Sequence, residues 1–250
     1  MELVILGSGT SVPSLKRAAP GYLVRAGRTL ALLDPGPGTL ARILLAGATA
    51  EEITHVLCSH THVDHTADLA PLLFFSRNPA FPRRSPLTIG GSAEFLQHFH
   101  DLSRVYGRWV EASSYPLSLI EITGEPILLG DLEVAGCRVP HIPSSIALRL
   151  ADAGGRTLVY SGDTDESDAL ADLARGADLL LVESSFPDEE RIAGHLTPSL
   201  AGTIAARAHP RRVVLTHFYP SCERVDMLEQ IRRTWDGEVA LAEDQMRTQV

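Results

Sequence analysis

The sequence has no apolar run long enough to cross a membrane. Its longest apolar stretches, such as 179–182 and 213–215, fall far short of the roughly 20 residues that a membrane-spanning helix needs. The first residues also lack the charged region, the long apolar region and the small-residue cleavage site of a secretory signal, and 1–6 instead has the pattern of a first strand. We therefore expect a cytoplasmic protein without a membrane partner.

Cysteine is scarce, and basic residues are outnumbered by acidic ones. The three cysteines, Cys58, Cys137 and Cys222, are odd in number and have no paired spacing, which argues against a disulfide framework and favours a reducing compartment. The 22 basic residues against 31 acidic residues give a net charge of −9, which disfavours broad capture of long nucleic acid. Low-complexity tracts are absent, so the composition predicts a globular enzyme rather than a disordered chain.

Turn formers and apolar runs alternate along the whole chain, which predicts a single domain over 1–250 that mixes strands and helices. Helices are predicted at 39–46, 67–75, 165–175 and 197–209. Strands are predicted at 3–6, 22–26, 29–33, 55–59, 132–139, 146–150, 157–161, 179–182 and 213–216.

Two further segments have no assigned role. The loop predicted at 76–85 contains Arg77, Arg83 and Arg84, which either bind an anionic substrate or are the solvated arginines of an ordinary surface loop. The segment 94–105 contains His98 and His100, and we expect it to be a helix that covers the functional site.

Four side chains of the kind that bind metals occur within six residues, in His60-Thr61-His62-Val63-Asp64-His65. Because His60 and His62 are separated by one residue just after a strand, their imidazoles can point to the same side, while a tight turn brings Asp64 and His65 to a neighbouring position. A single histidine after a strand is usually a satisfied core residue, but that explanation fits four such residues poorly. Imidazole and carboxylate ligands suit zinc, manganese or iron, and the absence of thiolates argues against a purely structural zinc.

This hexapeptide resembles the His-x-His-x-Asp-His signature of the metallo-β-lactamase superfamily. Three later segments resemble the family's remaining ligand motifs, in the family's order: His141, Ser161-Gly162-Asp163-Thr164 and Leu215-Thr216-His217-Phe218. The resemblance implies an α/β fold, α+β in some schemes, arranged as a four-layer αβ/βα sandwich of two facing sheets. It also implies two divalent metal ions, with zinc expected first and manganese or iron as alternatives.

The resemblance assigns a complete set of ligands to these two ions. The first ion is implied at His60, His62 and His141. The second is implied at Asp64, His65 and His217, and Asp163 is implied to bridge both ions.

One further motif points to a particular branch of the superfamily. Gly194-His195-Leu196-Thr197, followed by a helix, resembles the ribonuclease Z-like phosphodiesterase branch, in which this histidine faces the metals and contacts the scissile phosphate. The resemblance therefore implies a catalytic role for His195, against the alternative of a surface histidine beside a helix. Ribonuclease Z itself carries a long arm that grips transfer RNA between the segments matching His141 and Asp163, whereas only 22 positions separate them here. We expect a small or short phosphodiester substrate rather than long nucleic acid. The sequence is also compatible with a homodimer.

The hypothesis for the mechanism follows from two-metal hydrolysis, in which a hydroxide held between two cations attacks phosphorus. Asp64 would orient that hydroxide as well as bind metal, and His195 would donate a hydrogen bond to a non-bridging oxygen or protonate the leaving group. Asp34, Asp68 and Glu183 are the candidate hydrogen-bond partners of the ligand imidazoles. Asp34 and Asp68 could equally be turn and helix-cap residues, and Glu183 could belong to a buried polar network.

Two alternative functions use the same set of residues. The first is hydrolysis of a sulfate ester, lactone or thioester, because the same chemistry attacks many electrophiles. The second is an iron-dependent oxygenase or redox protein, since relatives that share the hexapeptide signature bind iron.

Overall fold

Two seven-stranded mixed β-sheets form the centre of the molecule in a computed structural model that describes residues 1–250. The first sheet has the strand order β14-β1-β2-β3-β4-β5-β6, and the second has the order β13-β12-β11-β10-β9-β8-β7. The strands are β1 Glu2–Gly7, β2 Gly21–Ala26, β3 Thr29–Leu33, β4 His55–Leu57, β5 Leu87–Gly91, β6 Leu117–Glu121, β7 Ile127–Leu129, β8 Leu132–Arg138, β9 Ile146–Asp152, β10 Thr157–Tyr160, β11 Leu179–Glu183, β12 Arg212–Thr216, β13 Glu238–Leu241 and β14 Arg247–Gln249.

Helices cover the outer face of each sheet, which confirms the predicted α/β class and the layered arrangement. The helices are α1 Thr39–Leu45, α2 Val63–Thr66, α3 Leu69–Ser76, α4 Ala93–Tyr106, α5 Asp168–Leu173, α6 Pro198–Ala208 and α7 Met227–Ile231. Side chains of α1, α3 and α4 pack on the first sheet, and those of α5, α6 and α7 pack on the second. None of these helices is both long enough and apolar enough to span a membrane.

The two faces of the first sheet belong to different cores. Along β1, Leu3 and Ile5 belong to the larger core, which also contains buried residues of the second sheet. Val4 and Leu6, which alternate with them, belong to the smaller core under α1, α3 and α4. Because successive side chains of a strand point to opposite faces, a strand that is covered on both sides reads as one continuous apolar run.

The parallel strands of both sheets end at one edge of the molecule. Strands β3 to β6 are mutually parallel, and so are β10 to β13. Polar loops begin where several of these strands end, and ligand sites in open α/β sheets lie outside the carboxyl ends of parallel strands. This edge therefore holds the candidate site.

The structure confirms the helix predicted at 67–75 and corrects the expectation for 94–105. The first corresponds to α3, Leu69–Ser76, with Asp68 at its N-cap, and the short helix α2, Val63–Thr66, precedes it within the histidine-rich segment. The segment 94–105 is helical, but α4 buries Phe95 and Phe99 in the smaller core and packs against β5 and β6. The expectation that it covers the site is therefore wrong, because its apolar face is needed by the sheet.

Candidate metal centre

Each side chain of the candidate centre follows the end of a strand. His60 lies just beyond β4 and His65 lies in α2, which begins three residues after His60. Asp163 follows β10, and His217 is the residue directly after β12. His141 follows β8, which runs in the same direction as β10 because each is antiparallel to β9. The sheet topology thus brings together residues that are more than 150 positions apart in the sequence.

Three histidines and one carboxylate form the first cluster. Ligand atoms of His60, His62, His141 and Asp163 all lie within 4.8 Å of one another. Nδ1 of His62 is 3.1 Å from Nε2 of His141. Oδ2 of Asp163 is 3.7 Å from Nε2 of His60 and 3.8 Å from Nε2 of His141. These four groups can surround one cation.

The second cluster lies on the other oxygen of the same carboxylate. Oδ1 of Asp163 is 3.4 Å from Nε2 of His65 and 3.4 Å from Nε2 of His217. Oδ2 of Asp64 is 3.8 Å and 3.7 Å from the same two nitrogens, which are themselves 3.2 Å apart. Asp163 therefore directs one oxygen to each cluster.

The residues present fit a metal ion. A tetrahedral zinc with ligand bonds of about 2.0–2.1 Å places its ligand atoms about 3.3–3.4 Å apart. The spacings in both clusters, between 3.1 and 3.8 Å, surround that value. In addition, Nε2 of His60 and Oδ1 of Asp163 are buried without any hydrogen-bond partner, which is costly unless something else satisfies them.

Asp34 fixes the orientation of two of the imidazoles. Its buried carboxylate accepts hydrogen bonds from Nδ1 of His65 at 2.8 Å and from Oγ of Ser59 at 2.6 Å. The Ser59 hydroxyl in turn accepts from Nδ1 of His60 at 2.9 Å. Since each Nδ1 carries the proton, each Nε2 keeps its lone pair for the centre. Nitrogen of Ser59 and the hydroxyl of Tyr160 donate to the same carboxylate at 2.7 and 2.6 Å, so Asp34 accepts four hydrogen bonds.

Other acceptors set the remaining tautomers in the same way. Nδ1 of His141 donates to the carbonyl oxygen of Gly194 at 2.8 Å, and a carbonyl can only accept. Nδ1 of His217 lies 2.9 Å from Oγ of Ser185, whose hydroxyl donates to Glu183. Nε2 of His141 and Nε2 of His217 consequently carry no proton, and each presents a lone pair to its cluster. This arrangement of outer hydrogen bonds is the usual one around metal-binding histidines.

His195 lies beside both clusters. Its ring is 4.8 Å from that of His141 and 5.9 Å from that of His217, measured between centroids. Nδ1 of His195 donates to Glu183 at 2.9 Å. Burial alone lowers the pKa of this imidazole, but the hydrogen bond and charge of Glu183 outweigh burial and raise the pKa above its ordinary value. The doubly protonated form of His195, which donates hydrogen bonds from both nitrogens, is therefore more accessible than in an ordinary histidine.

Charge and burial act oppositely on the groups at the centre. Burial opposes ionisation of Asp163, yet the charges of His217 and His65 keep the pKa of its carboxyl well below the usual range. Burial lowers the pKa of His60 and of His141, which favours the neutral imidazole that binds metals. Asp163 thus favours its ionised form and His60 and His141 their neutral form, whereas Asp163 and Asp34 outweigh burial at His65 and raise the pKa of its imidazole.

Backbone strain accompanies this geometry. His217 and Asp34 both have left-handed backbone conformations, with φ of 62° and 53°. Such conformations cost roughly 1–3 kcal/mol for a residue other than glycine and are frequent at functional sites. Next to Asp163, Gly162 has φ of 58°, and a Cβ there would lie only 2.7 Å from that of Ser59. The Asp163 loop therefore requires glycine at position 162.

The centre opens into a cavity of about 280 Å³. It is lined by Ser11, His62, Val63, Asp64, Asp163, His195 and Tyr219. The volume is near the lower end of the range for ligand pockets. Three groups with predicted chemical roles, Asp64, Asp163 and His195, therefore face one small cavity.

The three carboxylates considered as partners of the ligand imidazoles have different roles in the structure. Asp34 accepts directly from Nδ1 of His65, whereas Glu183 reaches Nδ1 of His217 only through the hydroxyl of Ser185. Asp68 contacts no imidazole, because its Oδ2 accepts from the backbone nitrogen of Leu40 at 3.0 Å and thereby caps α1. Of the two roles open for Asp68, the structure shows the helix cap and not the contact with an imidazole.

The arginine loop and the two α4 histidines also have defined positions. Arg83 is buried, with 2% of its surface exposed, and donates to backbone carbonyls of Ala50, Ile53, Ser85 and Pro86. It holds the loop rather than an anion. His98 and His100 belong to none of the groups that could hold a metal ion.

Sequence analysis missed three residues that support the centre. Ser59, Tyr160 and Ser185 bond to Asp34 or to the imidazoles, as described above. Ser59 directly precedes His60, and Ser185 lies two residues after Glu183, and these positions are the only signal that the two serines carry in the sequence. Tyr160 is a strand residue whose hydroxyl contact depends on the packing of the two sheets.

A comparison of the fold shows a solved relative. The crystal structure of YhfI from Bacillus subtilis, a metallo-beta-lactamase fold protein, superposes with a TM-score of 0.86 at 26% identity, covering 99% of this chain and 98% of that one. The same protein is named a probable metallo-hydrolase.

Sequence relatives agree with this likeness. An uncharacterized protein of Mycobacterium leprae is 36% identical over 96% of this chain and 85% of its own. Ribonuclease Z of Thermobifida fusca is 29% identical over all of this chain and 94% of its own. That alignment is 300 positions long against 250 residues here, so at least 50 of its positions have no counterpart in this chain.

A family model described as a beta-lactamase superfamily domain matches residues 29–218, a range that contains every residue of both clusters. The chain therefore belongs to the beta-lactamase superfamily.

Proposed function

We propose that this metallo-hydrolase cleaves a small or short phosphodiester with the help of two divalent metal ions, zinc being the first candidate. The observation that carries the proposal is the division of the Asp163 carboxylate between two clusters of ligands. One carboxylate with an imidazole set on each side is the arrangement that two adjacent cations require. His60, His62 and His141 would hold one ion, and Asp64, His65 and His217 the other.

Two bound cations supply a water of lowered pKa and positive charge that stabilises an in-line displacement at phosphorus. The chain's own residues provide the rest. Asp64 lines the cavity and is partly exposed, so one of its oxygens can accept a hydrogen bond from the attacking water. Asp163 is almost fully buried and serves as the fixed bridge.

His195 is proposed to contact the substrate. Its Nδ1 is engaged by Glu183, which leaves Nε2 for the cavity that the ring lines. Because the pKa of His195 is raised by Glu183, the imidazole carries a second proton more readily than an ordinary histidine. From this position Nε2–H would donate to a non-bridging phosphoryl oxygen, and it could also protonate the departing oxygen.

The small size of the substrate is argued from the segment between His141 and Asp163. Apart from the short loop 142–145, this segment is β9, a tight turn at 153–156 and β10, so it is a hairpin with no protruding arm. The cavity of about 280 Å³ also suits a compact ligand. We therefore propose a short phosphodiester rather than transfer RNA.

The proposal is tested by hydrolysis of bis-p-nitrophenyl phosphate with zinc- or manganese-loaded protein. We expect turnover that a chelator abolishes, that metal restores, and that Asp163→Ala removes. Asp172→Ala, at an exposed position on α5, is the matched control and should keep full activity. The same samples are assayed with a sulfate ester, a lactone and a thioester. Turnover of one of these with none of the phosphodiester would contradict the proposal, and so would phosphodiester turnover that survives Asp163→Ala.

A further inference from the structure

Two buried tyrosines from opposite sheets are in contact behind the metal centre. Tyr22 lies in β2 of the first sheet, and Tyr160 is the last residue of β10 in the second. Both belong to the larger core, with exposed fractions of 0% and 2%, and their ring centroids are 4.9 Å apart. A phenol hydroxyl that is buried without a hydrogen-bond partner is costly, so the core must supply a partner for each of them.

Each of these hydroxyls forms a hydrogen bond that crosses from one sheet to the other. The hydroxyl of Tyr160, from the second sheet, donates to Oδ2 of Asp34 at 2.6 Å, and Asp34 directly follows β3 of the first sheet. The hydroxyl of Tyr22, from the first sheet, lies 3.0 Å from Oγ1 of Thr216, the last residue of β12 in the second sheet. Asp34 and Thr216 are themselves completely buried. We call these two bonds the tyrosine clamp.

Both ends of the tyrosine clamp support an imidazole of the second cluster. Asp34 accepts from Nδ1 of His65 at 2.8 Å. Thr216 directly precedes His217, so a bond to its hydroxyl anchors the chain where the backbone becomes left-handed. His65 lies in the helix that follows β4 of the first sheet, whereas His217 follows β12 of the second. The 3.2 Å between their Nε2 atoms is therefore set by the approach of the two sheets.

Metal binding requires that this distance be held closely. Metal–ligand bond lengths vary by only about 0.2 Å, whereas facing sheets lie about 10 Å apart and are held by apolar contacts that have no preferred direction. Hydrogen bonds prefer a narrow range of lengths and angles. The tyrosine clamp therefore fixes the approach of the sheets at the point where His65 and His217 meet.

The two bonds of the tyrosine clamp differ in what they reach. The Tyr160 bond reaches both clusters, since Asp34 orients an imidazole of each. The Tyr22 bond reaches only the second cluster, because its partner adjoins His217. At the first cluster, the second-sheet ligand His141 is held instead by a backbone carbonyl of the loop after β11. Loss of the Tyr22 hydroxyl should therefore affect one metal position and not the other.

We propose that Tyr22 and Tyr160 are positioning residues, whose clamp sets the spacing of His65 and His217 and with it the affinity of the second metal position. The inference rests on the proposed function, because it takes that cluster to bind a metal ion, but it does not depend on the substrate. Neither tyrosine lines the site cavity, so both act through the residues that they hold.

Calorimetric titration of the metal-free whole chain with zinc tests the proposal. Tyr22→Phe keeps the ring and removes only the hydroxyl. We expect one of the two ions to bind about tenfold more weakly, at the lower end of the effects seen for partners of metal ligands, and the other to bind within threefold of its value in the unaltered chain. Thr216→Val removes the partner of the same bond and should have an equal effect, and the double variant should bind no more weakly than either single variant. Tyr160→Phe should weaken both ions.

Two further variants identify the position and exclude a general effect of a lost hydroxyl. His217→Ala removes the second position, so the addition of Tyr22→Phe should leave the affinity of the remaining ion unchanged. Tyr115→Phe is the matched control in the smaller core, because Tyr115 is 7% exposed and its hydroxyl has no hydrogen-bond partner. Both zinc affinities of this control should equal those of the unaltered chain. Circular dichroism of the metal-free proteins shows which variants are folded.

Three results overturn the proposal: both affinities unchanged within threefold in the folded Tyr22→Phe and Thr216→Val variants, an equal loss for both ions in Tyr22→Phe, or losses that add in the double variant. A single ion in the unaltered chain would contradict the proposed two-metal function instead. The tyrosine clamp would then stand only if His217→Ala abolishes binding of that ion and Tyr22→Phe weakens it, and it would be overturned otherwise. A chain that binds no ion contradicts both.

Discussion

Replacement of Asp34 by asparagine isolates the role of the acceptor behind the metal centre. The substitution keeps the size and shape of the side chain but removes its charge and turns one acceptor into a donor. Four groups donate to this carboxylate: the nitrogen and hydroxyl of Ser59, Nδ1 of His65 and the hydroxyl of Tyr160. An amide can satisfy only part of this set, whichever way it is oriented.

The expected magnitude follows from these four bonds. A hydrogen bond to a charged group contributes about 1.5–3 kcal/mol, against about 0.5–1.5 kcal/mol for a neutral pair, so each bond loses about 1 kcal/mol. The total of about 4 kcal/mol predicts a fall in Tm of roughly 8–16 °C for a chain of this size. It remains below the usual stability of a domain, about 5–15 kcal/mol, so the variant should still fold. Zinc affinity should fall roughly 10–100-fold, because the imidazoles lose their orienting acceptor.

Zinc affinity is measured by competition with a chromophoric chelator, and stability by thermal unfolding of the metal-free protein. Asp68→Asn is the matched control, because Asp68 caps α1 through the nitrogen of Leu40 and touches no imidazole. It should cost well under about 1 kcal/mol of stability, because the amide oxygen of asparagine can still accept from that nitrogen, and zinc affinity should be unchanged. Zinc affinity of Asp34→Asn within threefold of the unaltered chain would refute the reasoning, as would an equal loss in Asp68→Asn.

Three further outcomes follow from the structure. His195→Ala should lower turnover of bis-p-nitrophenyl phosphate by roughly 10²–10⁴-fold while both metal ions stay bound, and metal analysis of the variant would expose a ligand role instead. Arg83→Met should lower the free energy of unfolding by about 3 kcal/mol, because buried carbonyls lose a charged donor, with little change in KM; unchanged thermal stability would contradict this. Burial raises the pKa of Cys137 to about 11 and that of Cys222 to about 12, so both thiols should react with a disulfide reagent at pH 8 far more slowly than in urea, and more quickly as the pH rises; equal rates would contradict that burial.

The hexapeptide could be predicted as a metal-binding segment from its own residues, because four side chains of the kind that bind metals lie within six positions. His141, Asp163 and His217 are assigned by their resemblance to the family's motifs, and the structure brings all three to the same sheet edge as the hexapeptide. The strands could also be predicted from local patterns. Both faces of each sheet are covered, so successive side chains of a strand are buried on opposite faces and the strand is a continuous apolar run in the sequence.

The outer contacts could not be predicted, since they depend on which loops the fold brings together. Asp34 and Asp68 look alike in the sequence, each a carboxylate near a turn or helix start. One holds His65 and the other caps α1, and only the pairing of β3 with β4 and the position of α1 separate the two roles. Arg83 resembled a solvated arginine because nothing local shows that the carbonyls of Ala50 and Ile53 lie beside it.

The metal content of the purified chain tests the central claim most directly. Elemental analysis gives the number of ions per chain, and anomalous diffraction from crystals gives their positions. We predict two divalent ions, one among His60, His62 and His141 and one among Asp64, His65 and His217, each in contact with a different oxygen of Asp163. A single ion at saturation, or two ions that do not share Asp163, would contradict the account.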